Sequence, residues 1–367
     1  MPRPFQLSIF AGGRLGGWLR ILAKNRFRVA PSRIPRAIAV TLAASAAELL
    51  AASQRVCFGR QLGNAVLEAD PILILGHWRS GTTLLHELLA ADPRLRAPTT
   101  LQCGAASHFV VSEDVATGWL GRLLPRRRPM DDVPMGMRRP QEDEVALCSL
   151  GLPSPWWRIV FPNEPLPDPE YTTLAELPAA ARRRWIEAWV GFLREVQFEH
   201  PGRLVLKNPL HSYRVPLIDE VFPAAEFIHL VRDPREVFAS SLAFWRSMYD
   251  HYGLQRHRGE AACHGTTSEV LDSILALDAA CTAGLDDLPG NRSIRIRYED
   301  LVADPMATLE AIYDHFGWEG RVAARPRWRA YHEARRGHRR NDHHLDPATR
   351  RLIEEKLAGL LARDGYR

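Results

Sequence analysis

The sequence predicts an α/β fold, a parallel sheet with helices on both faces, on three observations. Short apolar runs at 71–76, 203–207, 226–232 and 293–298 are bounded by Gly, Pro or polar turn residues. Helical patterns fall between them, and strands separated by helices pair in parallel. Two helix starts are explicit. Asp233-Pro234-Arg235-Glu236 puts Asp at the N-cap, Pro at the first helical position and Glu at the third, and Asp304-Pro305 opens another helix.

The elements follow in order. Residues 35–55 are rich in Ala and Leu and read as a helix. Pro71-Ile72-Leu73-Ile74-Leu75-Gly76 is a buried strand ending in glycine. After a polar loop, Leu84, Leu85, Leu88 and Leu89 keep helical spacing until Asp92-Pro93 stops them. Residues 120–180 are Pro-rich with little periodicity and read as a helical and irregular cap insertion, given apolar weight by Trp156, Trp157 and Phe161. Residues 182–199 form a helix with Trp185, Trp189, Phe192 and Val196 along one face. Strand 203–207 breaks at Asn208-Pro209, strand 226–232 feeds the helix at Pro234, and strand 293–298 alternates Ile and Arg. Residues 347–363 are a last helix. This divides the chain into a basic N-terminal arm with helices (1–69) and one α/β domain (70–367), with most of the cap at 94–200.

Composition removes several classes. With 367 residues, 46% hydrophobic and 25% charged, disorder, collagen and coiled coil are disfavoured. Five cysteines (57, 103, 148, 263 and 281) form no C-x-x-C pair, which suits reduced thiols in a cytoplasm-like compartment. Lysine occurs only at Lys24, Lys207 and Lys356; all other basic residues are arginine. The net charge is +5, and residues 1–40 hold Arg3, Arg14, Arg20, Lys24, Arg26, Arg28, Arg33 and Arg36 with no acid, so the remainder is −3. This opening has no apolar run of the roughly 20 residues a span needs, and no signal-peptide pattern. Two readings of it stay open: a solvated arm packed on the domain, or a peripheral anchor on acidic membrane lipid. No nucleic-acid module is visible.

The chemistry concentrates in Gly76-His77-Trp78-Arg79-Ser80-Gly81-Thr82-Thr83, between a strand and a helix. There, backbone N–H groups and a helix N-terminus bind phosphate. The frame is that of the P-loop G-x-x-x-x-G-K-[ST], but Thr82 stands where the lysine would be. That argues against triphosphate chemistry. The cation has moved to Arg79, with Ser80, Thr82 and Thr83 as hydroxyl donors.

With that loop, and with the stretches 139–147, 204–241 and 297–318, the chain resembles the sulfotransferases that use 3′-phosphoadenosine 5′-phosphosulfate (PAPS), in particular their bacterial-type branch. The resemblance implies a sheet like that of P-loop nucleotide kinases. It implies a cytoplasmic enzyme that moves sulfonate from PAPS, its co-substrate, to a hydroxyl or amine of an unidentified small molecule, lipid or glycan, with no metal. The cap at 94–200 would lie on the acceptor side. By the family pattern Arg79, Ser80, Gly81, Thr82 and Thr83 hold the 5′-phosphosulfate, Arg232 and Ser240 the 3′-phosphate, and Tyr298 lies near the adenine. Arg232 also has a simpler reading, a surface ion pair with Asp233 or Glu236. Two rivals remain: a P-loop kinase-like phosphotransferase, and a non-catalytic protein that keeps the nucleotide fold.

Sulfonyl transfer needs cations on the leaving oxygen and a base for the acceptor. Arg79 is the first cation, and Lys207, at the end of strand 203–207, matches the strand-end lysine of related enzymes. His211, four positions on, is the first-ranked base, followed by Glu144 or Glu142 in Glu142-Asp143-Glu144, then by His108. From Pro93 to Ser112 there is no carboxylate, so His108 is the only base candidate in that stretch. Leu84 replaces a tryptophan that stacks on adenine in some relatives. Arg335-Arg336-Gly337 weakly resembles a basic phosphate motif, and His338, His343 and His344 lack metal partners in the sequence.

Overall fold

The computed structural model describes residues 10–118, 136–334 and 345–366. Along the chain run α1 (Leu15–Lys24), α2 (Ile34–Gly63), β1 (Ile72–Leu75), α3 (Thr82–Ala90), β2 (Leu95–Arg96), α4 (Thr100–Gly104), α5 (Phe109–Gly118), α6 (Asp143–Ser149) and α7 (Ala179–Glu199). Then follow β3 (Arg203–Lys207), α8 (Val215–Val221), β4 (Glu226–Val231), α9 (Pro234–Tyr252), α10 (Thr267–Asp286), β5 (Ser293–Arg297), α11 (Tyr298–Ala303), α12 (Pro305–Phe316), α13 (Arg321–Ala334), α14 (Pro347–Lys356) and α15 (Ala358–Arg363). The fold is α/β, with a five-stranded parallel sheet flanked by helices. Two units divide the chain: residues 1–67, 98–201 and 244–266 form the first, and residues 68–97, 202–243 and 267–367 the second.

The second unit holds the sheet, in the order β2-β3-β1-β4-β5, all parallel. Central β1 is buried at every residue, as an Ile-Leu-Ile-Leu run between two layers must be. The edges differ. β2 is only a two-residue strand, and β5 turns Ile296 inward while Arg295 and Arg297 face out. One face of the sheet packs Ile72, Ile74, Val205 and Ile228 against Leu85, Leu88 and Leu89 of α3 and Leu309 and Ile312 of α12. The Asp304 carboxylate caps α12 by accepting from Ala307 N at 3.0 Å, with Pro305 at its first turn and Gly317 (φ 66°) closing it. The expected last helix is two, α14 and α15, parted at Leu357.

In the first unit, α7 buries Trp185, Trp189, Phe192 and Val196 as its spacing predicts. α2 is longer than its sequence pattern suggested. It buries only Val40, Ala44, Ala47, Ala51 and Gln54. The Arg335-Arg336-Gly337 stretch and His338, His343 and His344 lie outside the described residues.

Candidate active site

β1 is the switch point of the sheet, since the chain leaves it to opposite sides, and a ligand crevice forms outside the strand ends there. The loop 76–81 occupies that position. Gly76 has φ 135° and Gly81 φ 97°, and Arg79 between them also sits at φ 72°. A non-glycine residue there stores strain, which loops keep where they bind ligands. Ser80 is buried and donates its hydroxyl to the His77 carbonyl at 2.8 Å, closing the loop. α3 then begins at Thr82 with Gly81 as N-cap and no side-chain cap on its N–H groups. Thr82 is buried and Thr83 half-buried in that first turn. The positive end of α3 thus faces the loop, an arrangement that binds an anion.

Two cations converge on this loop. Arg79 Nε donates to Ser240 Oγ at 2.9 Å, from the loop across to α9. Arg232, just beyond β4, donates through Nη1 to the Arg79 carbonyl at 2.9 Å. Its other terminal nitrogen, Nη2, lies 3.3 Å from Glu236, an exposed carboxylate one turn on, the ion-pair partner that the sequence offered beside Asp233. A solvent-facing pair of that kind contributes little. The Arg232 guanidinium also lies over the Tyr298 ring, 4.7 Å from its centroid. Tyr298 packs on the loop itself: a Cβ at Gly81 would sit 2.2 Å from its Cδ2. Arg79, Arg232, Ser240 and Tyr298, spread over more than 200 positions in sequence, therefore form one patch.

The exit of β3 lies beside it. β3 pairs with β1, with Lys207 in register with Ile74. Lys207 is buried at the strand end. The Asn208 side chain accepts from Leu210 N at 3.0 Å and turns the chain into a short helix, Pro209–Tyr213, which carries buried His211. The next residue, Ser212, accepts from Gly76 N at 3.0 Å and locks this turn to the loop. The sequence reading did not single out Ser212, Glu299 or the C-terminal Tyr366. Asp233 N donates to Glu299 Oε1 at 3.3 Å, and Tyr366 Oη donates to Glu299 Oε2 at 2.9 Å. A chain of bonds thus braces the backbone next to both Arg232 and Tyr298. The only sequence signal for it is the acidic Tyr298-Glu299-Asp300 turn.

The other base candidates belong to the first unit. Glu144 is fully buried and accepts from Ser154 Oγ at 2.6 Å, while its neighbour Asp143 accepts from Trp189 Nε1 at 2.7 Å. Glu142 is the N-cap residue of α6. His108 hydrogen-bonds Ser112 Oγ at 3.0 Å, and burial lowers its pKa below the usual histidine value. In the second unit, burial likewise holds β4 residue His229 down to about 4.

A family model described as the sulfotransferase family matches residues 71–321. Omega-hydroxy-beta-dihydromenaquinone-9 sulfotransferases of Mycobacterium bovis and Mycobacterium tuberculosis are each 34% identical over 364 residues, 99% of this chain and 92% of theirs. Among solved structures, sulfotransferase STF9 from Mycobacterium avium matches with TM-score 0.66 at 18% identity, over 86% of this chain and 81% of that one. Sulfotransferase STF1 from Mycobacterium tuberculosis matches with TM-score 0.64 at 18% identity, over 94% and 93%. At that identity these structures speak for the fold.

Proposed function

The chain belongs to the sulfotransferase family, and from that premise we propose that its donor is PAPS, held by the loop after β1 and by Arg232. The observation that carries the reading is the single patch at the loop: Arg232 bonded to the Arg79 carbonyl, and Arg79 bonded to Ser240. Two guanidiniums and a helix N-terminus suit two separate anionic groups better than a triphosphate tail. Arg79 to Thr83 take the 5′-phosphosulfate, Arg232 and Ser240 the 3′-phosphate, and Tyr298 the adenine side.

The reaction is a direct in-line transfer. The acceptor oxygen attacks sulfur, its new S–O bond forms as the bond from sulfur to the 5′-phosphate oxygen breaks, and 3′,5′-bisphosphoadenosine leaves. Arg79 and Lys207 stabilise the charge that grows on the leaving oxygen. His211 takes the acceptor proton. The turn locked by Asn208 and Ser212 supports this choice, because it holds His211 on the same strand exit as Lys207. The bonds of Asp143 and Glu144 within their own unit favour a structural role for that acidic patch.

The acceptor we propose is a hydroxyl on an apolar, lipid-like molecule, encountered in the cytoplasm. Support comes from the mycobacterial relatives, whose name gives a hydroxylated dihydromenaquinone as their substrate. The test is transfer of radiolabelled sulfonate from PAPS to a hydroxylated isoprenoid quinone and to a total lipid extract. Labelled lipid is expected, with turnover reduced in His211→Ala and donor binding kept. Label on water-soluble acceptors alone would refute the lipid assignment. Full turnover in His211→Ala would move the base elsewhere.

A further inference from the structure

In a helix packed on a protein, the outward face is normally polar. α2 reverses this. At 100° per residue, Ile34, Ile38, Leu42, Leu49 and Val56 fall within an arc of about 80°, and all are exposed: Leu42 by 67%, Leu49 by 75% and Val56 by 85%. The buried residues Val40, Ala44, Ala47, Ala51 and Gln54 occupy the opposite arc. Between Ile34 and Val56 the outward arc carries no charge, only Pro, Thr, Ser and Ala between its large apolar residues. The stripe is about 33 Å long.

The surroundings of the stripe are basic. Residues 10–63 contain nine basic side chains and one acid, Glu48, which pairs with Arg14 at 2.8 Å. The turn before α2 holds Arg26 and Phe27 at φ 52° and 53°, a costly conformation for both. It leaves the Phe27 ring 62% exposed between Arg26 and Arg28. The same turn lines an open cleft of about 570 Å³ with Arg28, Arg256, His257 and Arg258, against one carboxylate, Glu164, which Arg28 neutralises at 2.7 Å. Arg33 Nη2 donates to the Asp250 carbonyl at 3.0 Å and Ala30 N to the Leu254 carbonyl at 2.9 Å, so the cleft adjoins the start of α2.

We propose that the outward face of α2, with Phe27 and this basic cleft, docks the protein on an anionic phospholipid bilayer. α2 is long and apolar enough to cross a membrane by length and composition, but its inner face is committed to protein. Gln54 donates to Glu195 at 3.1 Å and accepts from Val110 N at 3.0 Å, and the Trp18 indole donates to Thr41 at 2.9 Å. A helix with one face on protein and the other apolar lies in the interface plane. Anionic lipid supplies the charge that the basic flank lacks. A second copy fits less well. Arg26 and Arg33 mark one end of the stripe and Arg55 and Arg60 the other, so a two-fold pairing in either direction sets arginine against arginine. The inference stands independently of the donor and acceptor assignments.

The test is flotation of the full chain with phosphatidylcholine vesicles and with vesicles doped with phosphatidylglycerol. The protein should float with the anionic vesicles and stay behind with the neutral ones. L42D/L49D should lose about tenfold or more in partitioning, as should V56E, while both variants keep wild-type melting and 3′,5′-bisphosphoadenosine binding. Equal behaviour with both vesicle types, or variants that float like wild type, would overturn the proposal. So would a wild-type dimer that fails to float and that L42D/L49D splits, which would give the face to a second copy.

Discussion

Replacing Gly81 by alanine tests the joint between loop and Tyr298 with one methyl group. The site has φ 97°, where an L-residue costs about 1–2 kcal/mol. The new Cβ would lie 2.2 Å from Tyr298 Cδ2 and 2.5 Å from Cε2, so the ring has to move. That ring carries the Arg232 guanidinium, a contact worth about 0.5–2 kcal/mol. Together these give about 1.5–4 kcal/mol. Loop strain appears as lower thermal stability and ring displacement as weaker nucleotide binding. By titration calorimetry, 3′,5′-bisphosphoadenosine should bind G81A about twofold to thirtyfold more weakly. Y298A should weaken binding by a similar factor, and G81A/Y298A should recover part of the G81A loss in melting temperature, because the clash is gone. If G81A binds and melts like wild type, Tyr298 does not pack on the loop, and the patch built around Arg232 is wrong.

Lys207→Met should lower kcat by about 10²–10³ and leave bisphosphate affinity within about threefold of wild type; a purely structural lysine would instead lower the melting temperature at unchanged turnover. His229, held down to about 4 by burial, stays neutral in the fold while the unfolded chain binds a proton below about 6.5. Its contribution is complete above that pH and is lost as pH falls to about 4, at a cost of about 3 kcal/mol, so H229Q should flatten the stability–pH curve between those values in urea titrations. Glu195 has the opposite sign. Burial raises it from 4.5 to about 7, so the folded carboxyl holds a proton that the unfolded chain has released, and stability falls as pH rises through that window. E195Q should therefore gain about 1–3 kcal/mol at pH 8 and almost nothing at pH 4; an equal gain at both pH values would assign the effect to packing.

Much of the sheet was legible because its signal is local. Ile72 to Leu75 are apolar on both faces, Asp304 and Pro305 mark a helix start, and the tryptophans of α7 repeat every helical turn. β2 gave no signal, since two residues carry no periodicity and pair only because β3 lies beside them. α2 illustrates a different limit. Its alanines and leucines predict a helix, but which face meets protein depends on α1, α5 and α7, which pack against it. The buried face proved to be the small one, built on Ala44, Ala47 and Ala51. At the candidate site, the loop was readable from glycines and hydroxyls spaced within one turn. The bond between Arg79 and Ser240 and the stacking of Tyr298 on Arg232 were not. They join residues 161 and 66 positions apart, which only the sheet order brings together. The brace through Glu299 and Tyr366 depends on where the C-terminal segment folds back, and local sequence does not encode that.

The central claim is that the loop and Arg232 bind a nucleotide phosphorylated at both its 3′ and 5′ positions. Calorimetric titration of wild type and R232A with 3′,5′-bisphosphoadenosine, adenosine 5′-phosphate and ATP tests it most directly. Wild type should prefer the bisphosphate over the monophosphate by about tenfold or more, with ATP weaker than the bisphosphate. R232A should lose most of that preference while its affinity for the monophosphate stays nearly unchanged. Tighter binding of ATP by wild type, or an equal loss for bisphosphate and monophosphate in R232A, would contradict the account.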